Sequence, residues 1–177
     1  MLFDRFKKVK AFVFGAEGVL CGADIQVAET GVRSCSFNVK DAYALRLALK
    51  QEYPIAVAAT GDTAGIGSQM AALGMVGVYL LAGDDKTASL DDWLSANELN
   101  LTDILYMGSD IPDLDRMNQA GFPACPADAA EEIKAASAYI SRGKGGGGAV
   151  RDVVEKVMKL QGKWWHTGAG PGNGQHE

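Results

Sequence analysis

The chain has 177 residues, of which 47% are hydrophobic, and this is enough to build one domain with its own core. Its net charge is -5, and the chain has no long cluster of lysine and arginine, which excludes a surface built to bind nucleic acid. No apolar run reaches the roughly 20 residues that a membrane helix needs, and the N-terminus lacks an apolar signal segment, so we expect a cytoplasmic protein without membrane contact.

Short apolar runs alternate with longer segments of helical period, and this pattern predicts a parallel sheet that is covered by helices. The runs predict strands over residues 10–14, 55–59, 76–80, 103–107 and 122–125. The periodic segments predict helices over residues 40–51, 63–73, 87–97, 112–120, 129–136 and 148–160. The basic stretch before residue 10 is interpreted as a solvated lead-in to the first strand.

Residues 23–38 interrupt this alternation and predict a β-hairpin inserted after the first strand. A Glu-Thr-Gly turn signal at residues 29–31 lies between two alternating segments. The apolar residues of these segments cannot be buried by a lone hairpin, so we expect self-association to cover them. They are Ile25, Val27, Val32, Cys35 and Phe37.

The last residues, 164–177, are rich in glycine and have no periodicity, which is typical of a tail beyond a domain over residues 1–163. The tail begins with Trp164 and Trp165. Because tryptophan contributes strongly to interfaces, this pair is suited to dock on a partner subunit. Alternatively, it folds back on its own domain. The sequence leaves both interpretations open.

The cysteines and histidines of this sequence do not indicate a disulfide framework, a metal site or a catalytic triad. Cys21, Cys35 and Cys125 are odd in number and have no CxxC spacing, which favours small buried side chains over a disulfide framework or a zinc site. His166 and His176 both lie in the tail, so a His-based triad cannot form within the domain.

Four polar segments follow the first four predicted strands, where doubly wound sheets bind their ligands. The first is Gly15 to Gly18, which lies within VFGAEGVL, residues 13–20. The others are Thr-Gly-Asp at 60–62, Asp-Asp-Lys at 84–86 and GSDIPD at 108–113. We expect the four segments to meet at one edge of the sheet.

Together with FNVKDAYAL (37–45), PADA (126–129) and GGGGAVR (145–151), these segments resemble the haloacid dehalogenase superfamily. The resemblance is greatest to its capless branch of 3-deoxy-D-manno-octulosonate 8-phosphate phosphatases and the related domain of acylneuraminate cytidylyltransferases, and covers about residues 8 to 162. It implies a three-layer, Rossmann-like α/β fold with a central parallel sheet, no cap domain and a hairpin after the first strand.

The resemblance also implies a chemistry in which an aspartate of the first loop attacks phosphorus and binds Mg²⁺. The second aspartate of that Asp-x-Asp loop is the general acid and base. Here Gly15 stands at the nucleophile position and Glu17 at the acid-base position. Because Gly15 has no side chain, the covalent intermediate cannot form there.

Thr60 and Lys86 match the positions that grip phosphate in the family. The residues also allow simpler interpretations. Thr60 is equally suited to cap the following helix, and Lys86 is suited to neutralise nearby carboxylates.

Asp110 and Asp113, with Glu17, are the candidate metal ligands, and Mg²⁺ is the expected ion if activity or metal binding remains. Asp110 and Asp113 alternatively cap the helix that begins near Pro112. Ser109 replaces the first aspartate of the family's Gly-Asp-Asp segment, which weakens the expected metal site.

Two further replacements remove positive charge that the family provides. Asp62 and Gly147 each stand where the family has an arginine. Without that arginine, residues 145–148 favour a mobile connector over a turn that cradles phosphate.

These replacements favour a pseudophosphatase, a homo-oligomer expected to be a tetramer, which binds a ligand or a protein without turning it over. We expect it to work beside enzymes of sugar-acid activation or surface-polysaccharide synthesis. In the resembled family, the hairpins pair into tetramers and the C-terminal tail reaches a neighbouring subunit's pocket. The alternative is a residual or re-purposed phosphomonoester hydrolase that acts on a phosphorylated sugar acid.

Overall fold

The computed structural model describes residues 2–31, 33–59, 64–81 and 86–164, and for residues 64 and 86–88 it describes the backbone alone. In these ranges, six parallel strands form one sheet. They are β1 Ala11–Gly15, β4 Ile55–Ala58, β5 Tyr79–Leu81, β6 Ile104–Met107, β7 Phe122–Cys125 and β8 Tyr139–Ile140. Their order across the sheet is β5-β4-β1-β6-β7-β8. The predicted α/β fold with a parallel sheet is therefore confirmed.

Helices cover both faces of the sheet and give the three layers that were expected. They are α1 Leu2–Lys8, α2 Val39–Lys50, α3 Ala64–Ala72, α4 Lys86–Ala96, α5 Leu114–Gln119, α6 Glu131–Ala136 and α7 Ala149–Leu160. Side chains alternate across each strand, so Phe12 and Phe14 of β1 pack with α1, α2, α3 and α7, whereas Ala11 and Val13 pack with α4, α5 and α6. None of the described helices is long and apolar enough to cross a membrane.

Two elements were missing from the sequence prediction. Helix α1 occupies the stretch interpreted as a solvated lead-in, and its buried Phe6 packs on Phe122 with ring centroids 4.5 Å apart. A seven-residue helix with four charges shows too little apolar periodicity to be recognised from sequence. Strand β8, only two residues long, is likewise too short to give a signal.

The hairpin is present after the first strand, as the sequence predicted. Strands β2 Gln26–Val27 and β3 Arg33–Ser34 pair antiparallel, and Cys21 bridges to Phe37 where the segment begins and ends. Its apolar residues behave differently from one another. Phe37 packs against the domain core, whereas Val27 is 64% exposed, and Val32 lies outside the described residues.

Trp164 folds back on its own domain, which is the second of the two interpretations of the tryptophan pair. It is only 8% exposed and packs with the core cluster. The guanidinium of Arg151 lies 5.1 Å from the centre of its ring, and Tyr43 meets it edge-on with ring centroids 6.5 Å apart. Residues 165–177 lie outside the described residues.

Candidate functional site

A cleft of about 420 Å³ opens at the carboxyl ends of β1, β4 and β6, where the sequence placed the site. The loop after β1, residues 15–18, forms one wall, and Ser109 to Asp113 after β6 form the opposite wall. Asp128 and Ala130 contribute from the loop before α6. The structure therefore brings together Gly15, Glu17, Asp110 and Asp113.

The loop after β1 keeps the tight turn that its glycines predict. Gly18 has a φ of 75°, a left-handed conformation that favours glycine. Gly15 instead has φ −62° and ψ 146°, an extended conformation that any residue adopts. The backbone therefore requires glycine at position 18 but not at position 15.

Ser109 joins the two walls of the cleft directly. Its hydroxyl donates a hydrogen bond of 3.2 Å to the backbone carbonyl oxygen of Glu17. The acceptor is a backbone carbonyl, so this contact could not be predicted from the side chains of the sequence. It fixes the loop after β1 against the loop after β6.

Asp113 holds the loop after β6 through its carboxylate. One oxygen accepts hydrogen bonds from the backbone N–H groups of Ser109, at 2.9 Å, and Asp110, at 3.4 Å. The other accepts from the Tyr106 hydroxyl at 3.2 Å. Burial and the neighbouring Asp113 carboxylate raise the pKa of Tyr106, so the hydroxyl keeps its proton and remains a donor.

Asp110 caps the turn Ile111–Asp113, as the alternative interpretation of this residue proposed. One of its carboxylate oxygens accepts a hydrogen bond from the backbone N–H of Ile111 at 2.8 Å. Pro112 occupies the first turn, where its missing N–H costs nothing. Both aspartates of this loop therefore have a structural role, whatever else they bind.

The glycine run before α7 is packed against the cleft loop, so the predicted mobile connector was wrong. The Gly146 N–H donates to the Val19 carbonyl at 2.9 Å, and the Gly145 N–H donates to a carboxylate oxygen of Asp128 at 2.9 Å. A β-carbon at Gly145 would collide with the backbone of Gly18. Glycine is needed here because two backbones approach each other closely.

Asp41 supports this glycine turn from below and was missed as a functional candidate. It is 1% exposed, and its two carboxylate oxygens accept hydrogen bonds from the backbone N–H groups of Arg151, at 2.7 Å, and Gly148, at 3.2 Å. It thereby caps α7. Burial raises its pKa, although both hydrogen bonds and the Arg151 charge oppose the shift. Asp41 lies within FNVKDAYAL, one of the segments that carry the family resemblance, and this position is the sequence signal that could have identified it.

The magnesium site that the resemblance implies is changed at positions 15 and 109. Gly15 supplies no ligand, the Ser109 hydroxyl is bonded to Glu17, and Asp110 and Asp113 accept backbone hydrogen bonds. Across the described ranges, no group of three or more His, Cys, Asp or Glu side chains is arranged to hold a metal ion. The three candidate ligands, Glu17, Asp110 and Asp113, stay a prediction that only a binding measurement tests.

The phosphate-binding candidates cannot be placed in the cleft. Thr60 and Asp62 lie outside the described residues. Lys86 is the first residue of α4, but the position of its side chain is not among those described. All three stay predictions from the sequence.

Comparison with known proteins gives a consistent set of relatives, although no family model matches the chain. The chain is 27% identical over 159 residues to the 3-deoxy-D-manno-octulosonate 8-phosphate phosphatase KdsC of Escherichia coli K12, covering 90% of this chain and 84% of that protein. A probable YrbI-family phosphatase from Pseudomonas syringae superposes with a TM-score of 0.83 at 28% identity, covering 92% of both chains. The 3-deoxy-D-manno-octulosonate 8-phosphate phosphatase of Moraxella catarrhalis, in complex with magnesium, phosphate and KDO, superposes with a TM-score of 0.82 at 27% identity, covering 91% of this chain and 92% of that chain.

Proposed function

Because this chain belongs to the haloacid dehalogenase superfamily and is similar to its 3-deoxy-D-manno-octulosonate 8-phosphate phosphatases, we propose that it is a pseudophosphatase. It keeps the phosphatase scaffold, does not use the aspartyl-phosphate route and acts as a homo-oligomeric binding or assembly protein. Its relatives suggest a setting in sugar-acid or surface-polysaccharide metabolism.

The observation that carries the proposal is the conformation of Gly15. The backbone there is extended and open to any side chain, yet the residue at the nucleophile position carries none. The missing carboxylate is thus not a requirement of the turn, which keeps its shape through Gly18. Loss of the nucleophile from a covalent mechanism typically lowers turnover by several orders of magnitude.

The hydrogen bond between Ser109 and Glu17 supports the same conclusion. In the resembled family, carboxylates of these two loops share a magnesium ion. Here a neutral hydroxyl at position 109 donates a hydrogen bond of 3.2 Å to the Glu17 carbonyl oxygen. Position 109 therefore links the two loops but supplies no negative charge to hold a magnesium ion.

The charge of the cleft also disfavours a phosphate ester. Among its described lining residues, the charged side chains are all carboxylates, namely Glu17, Asp110, Asp113 and Asp128. Carboxylates at short range repel phosphate and the carboxylate of a sugar acid. Lys86 matches a phosphate-gripping position of the resembled family and is therefore the candidate cation to test.

The proposal is tested by measuring phosphate release from 3-deoxy-D-manno-octulosonate 8-phosphate in the presence of magnesium. We expect the same background rate for the full chain and for its Lys86→Ala variant. The Escherichia coli phosphatase serves as the positive control for substrate and assay. Release that is clearly above background and lost in Lys86→Ala would overturn the proposal.

The alternative function is a residual or re-purposed phosphomonoester hydrolase acting on a phosphorylated sugar acid. The retained cleft and the position of Asp110 and Asp113 on its wall favour it. Glu17, Asp110 or a directly activated water would then attack phosphorus. The same assay, run on a panel of phosphorylated sugar acids, separates the two functions.

A further inference from the structure

Cys21 and Cys35 lie side by side where the hairpin meets the loop after β1. Cys21 is bridged to Phe37 in antiparallel fashion, and residues directly opposite each other point to the same face. Cys35 precedes Phe37 by two residues and therefore shares that face. The Cys35 side chain is close enough to Cys21 to contribute to the raised pKa of the Cys21 thiol.

The two thiols differ in their surroundings. Cys21 is fully buried, and its thiol lies 3.3 Å from the Ala16 carbonyl oxygen. Cys35 is half-buried and lines a cleft of about 400 Å³ together with Glu17, Ile25 and Ile66. A small oxidant in that cleft therefore meets Cys35 first.

The protonation state of Cys21 limits its reactivity as the first nucleophile. Burial, followed by the neighbouring Cys35 and Glu17, raises the pKa of Cys21. The Cys21 sulfur therefore stays a thiol near neutral pH and is a poor first nucleophile. It is nevertheless well placed to react with a neighbouring sulfur that has already been oxidised.

We propose that Cys21 and Cys35 form a thiol pair that a peroxide converts into an intramolecular disulfide. The Cys35 sulfur attacks the peroxide, the O–O bond breaks, and a sulfenic acid and water form. The Cys21 sulfur then attacks the Cys35 sulfur, the S–O bond breaks, and hydroxide takes the Cys21 proton and leaves as water. The peroxide is reduced by two electrons, and the thiol pair is oxidised by two.

The disulfide joins the hairpin covalently to the loop that forms one wall of the candidate site. It closes a short loop of chain that contains both strands of the hairpin, Gln26–Val27 and Arg33–Ser34. Closure of such a loop lowers the conformational entropy of the unfolded chain and thereby raises the free energy of unfolding. The pair is thus a reversible modification site, and it does not depend on whether the protein hydrolyses phosphate.

Peroxide titration of the full, reduced chain tests the pair. We expect two of the three thiols to be lost together, with Cys125 retained because it is buried. Trypsin cleaves after Arg33, between the two cysteines, so the disulfide would link the peptides 11–33 and 34–40. Mass spectrometry of the digest identifies that linked pair, and a dithiol reductant separates it.

Two variants complete the test. Cys125→Ser should form the same linked pair, and its melting temperature should rise by about 5 °C on oxidation. Cys35→Ser should form no link and show no such rise. Oxidation that yields only sulfinic acid at Cys35, links between different chains, or a Cys35–Cys125 link in the folded protein would overturn the proposal.

Discussion

The hydroxyl of Ser109 bonds to the backbone carbonyl of Glu17 across the mouth of the cleft, at 3.2 Å. This contact joins two loops that follow neighbouring parallel strands, β1 and β6. The family that this chain resembles has an aspartate at position 109 and another at position 15. The changed positions therefore lie on opposite walls of one site, and restoring one alone should be insufficient.

We predict that the triple variant Gly15→Asp, Glu17→Asp, Ser109→Asp gains phosphatase activity. A β-carbon at position 15 would meet Val19 Cγ2 at 3.2 Å, Glu17 O at 3.7 Å and Met107 O at 3.8 Å, so a side chain fits after a small shift of Val19. Phosphate release from 3-deoxy-D-manno-octulosonate 8-phosphate with magnesium measures the gain.

The matched control is the triple variant with Asn instead of Asp at position 15, because Asn has the same size but cannot attack phosphorus. We expect the Asp variant to exceed the Asn variant by about 100-fold or more. Equal rates in two folded variants would contradict the view that the lost carboxylate at position 15 ended the activity.

We predict that magnesium does not stabilise the native chain. An ion that binds only the folded state raises the free energy of unfolding, by about 2.7 kcal/mol at a concentration 100 times its dissociation constant. Differential scanning fluorimetry with millimolar magnesium should leave the melting temperature of the native chain unchanged and raise that of the triple Asp variant. A clear rise for the native chain would establish a metal site and revive Glu17, Asp110 and Asp113 as its ligands.

We predict that Asp41→Asn destabilises the protein, and that the loss depends on pH. The two oxygens of Asp41 each accept a backbone N–H, whereas an Asn amide would turn its NH₂ group toward one of these donors. An unsatisfied buried donor costs about 1–3 kcal/mol. Urea unfolding of both proteins measures the difference.

The sign of the pH dependence follows from the raised pKa of Asp41 in the folded protein, which is caused by burial. The folded state binds the Asp41 proton more tightly than the unfolded state does. The resulting stability is present in full below the ordinary carboxyl pKa of about 3.9, and it is lost as pH rises through the raised pKa. The advantage of the native chain over Asp41→Asn should therefore be larger at about pH 4 than at about pH 7, and a gap that grows with pH would contradict this account.

The sequence predicted the strands that position the site because their apolar runs are short and bounded by polar or glycine residues. It also placed Gly15, Glu17, Asp110 and Asp113 correctly at one edge of the sheet, since parallel strands end on the same side. The contacts that define the site were harder to predict from the sequence. A backbone acceptor, as in the bond between Ser109 and Glu17, leaves no mark in the sequence.

Glycine-rich stretches are ambiguous for a different reason. A run of glycines is typical both of a flexible connector and of a turn in which two backbones touch, and only the partner distinguishes them. Here the partners are the backbone of residues 18–22 and the carboxylate of Asp128. Neither is adjacent in sequence to residues 145–148, so the packing emerges only from the fold.

We predict that Trp164→Ala lowers stability and leaves the oligomeric mass unchanged. Trp164 is 8% exposed and stacks on Arg151, so its removal opens a cavity in its own domain. Replacement of a buried tryptophan by alanine costs about 3–5 kcal/mol. Chemical unfolding measures this loss, and light scattering measures the mass.

The control Trp164→Phe keeps a ring against Arg151 and should lose less stability than Trp164→Ala. A lower mass at unchanged stability would show that Trp164 contacts another subunit.

We predict that the hairpin mediates self-association through Val27. This side chain is 64% exposed on β2, and the two-residue strands β2 and β3 cannot bury it themselves. Val27→Asp places a charge in any apolar contact between copies and should lower the mass measured by light scattering, in the limit to that of a single chain.

The matched control is Val76→Asp, because Val76 is 77% exposed and lies before β5, away from the hairpin. If both variants keep the mass of the native protein, or if the native protein is itself a monomer, the hairpin has no role in assembly and the proposed function must rest on the cleft alone.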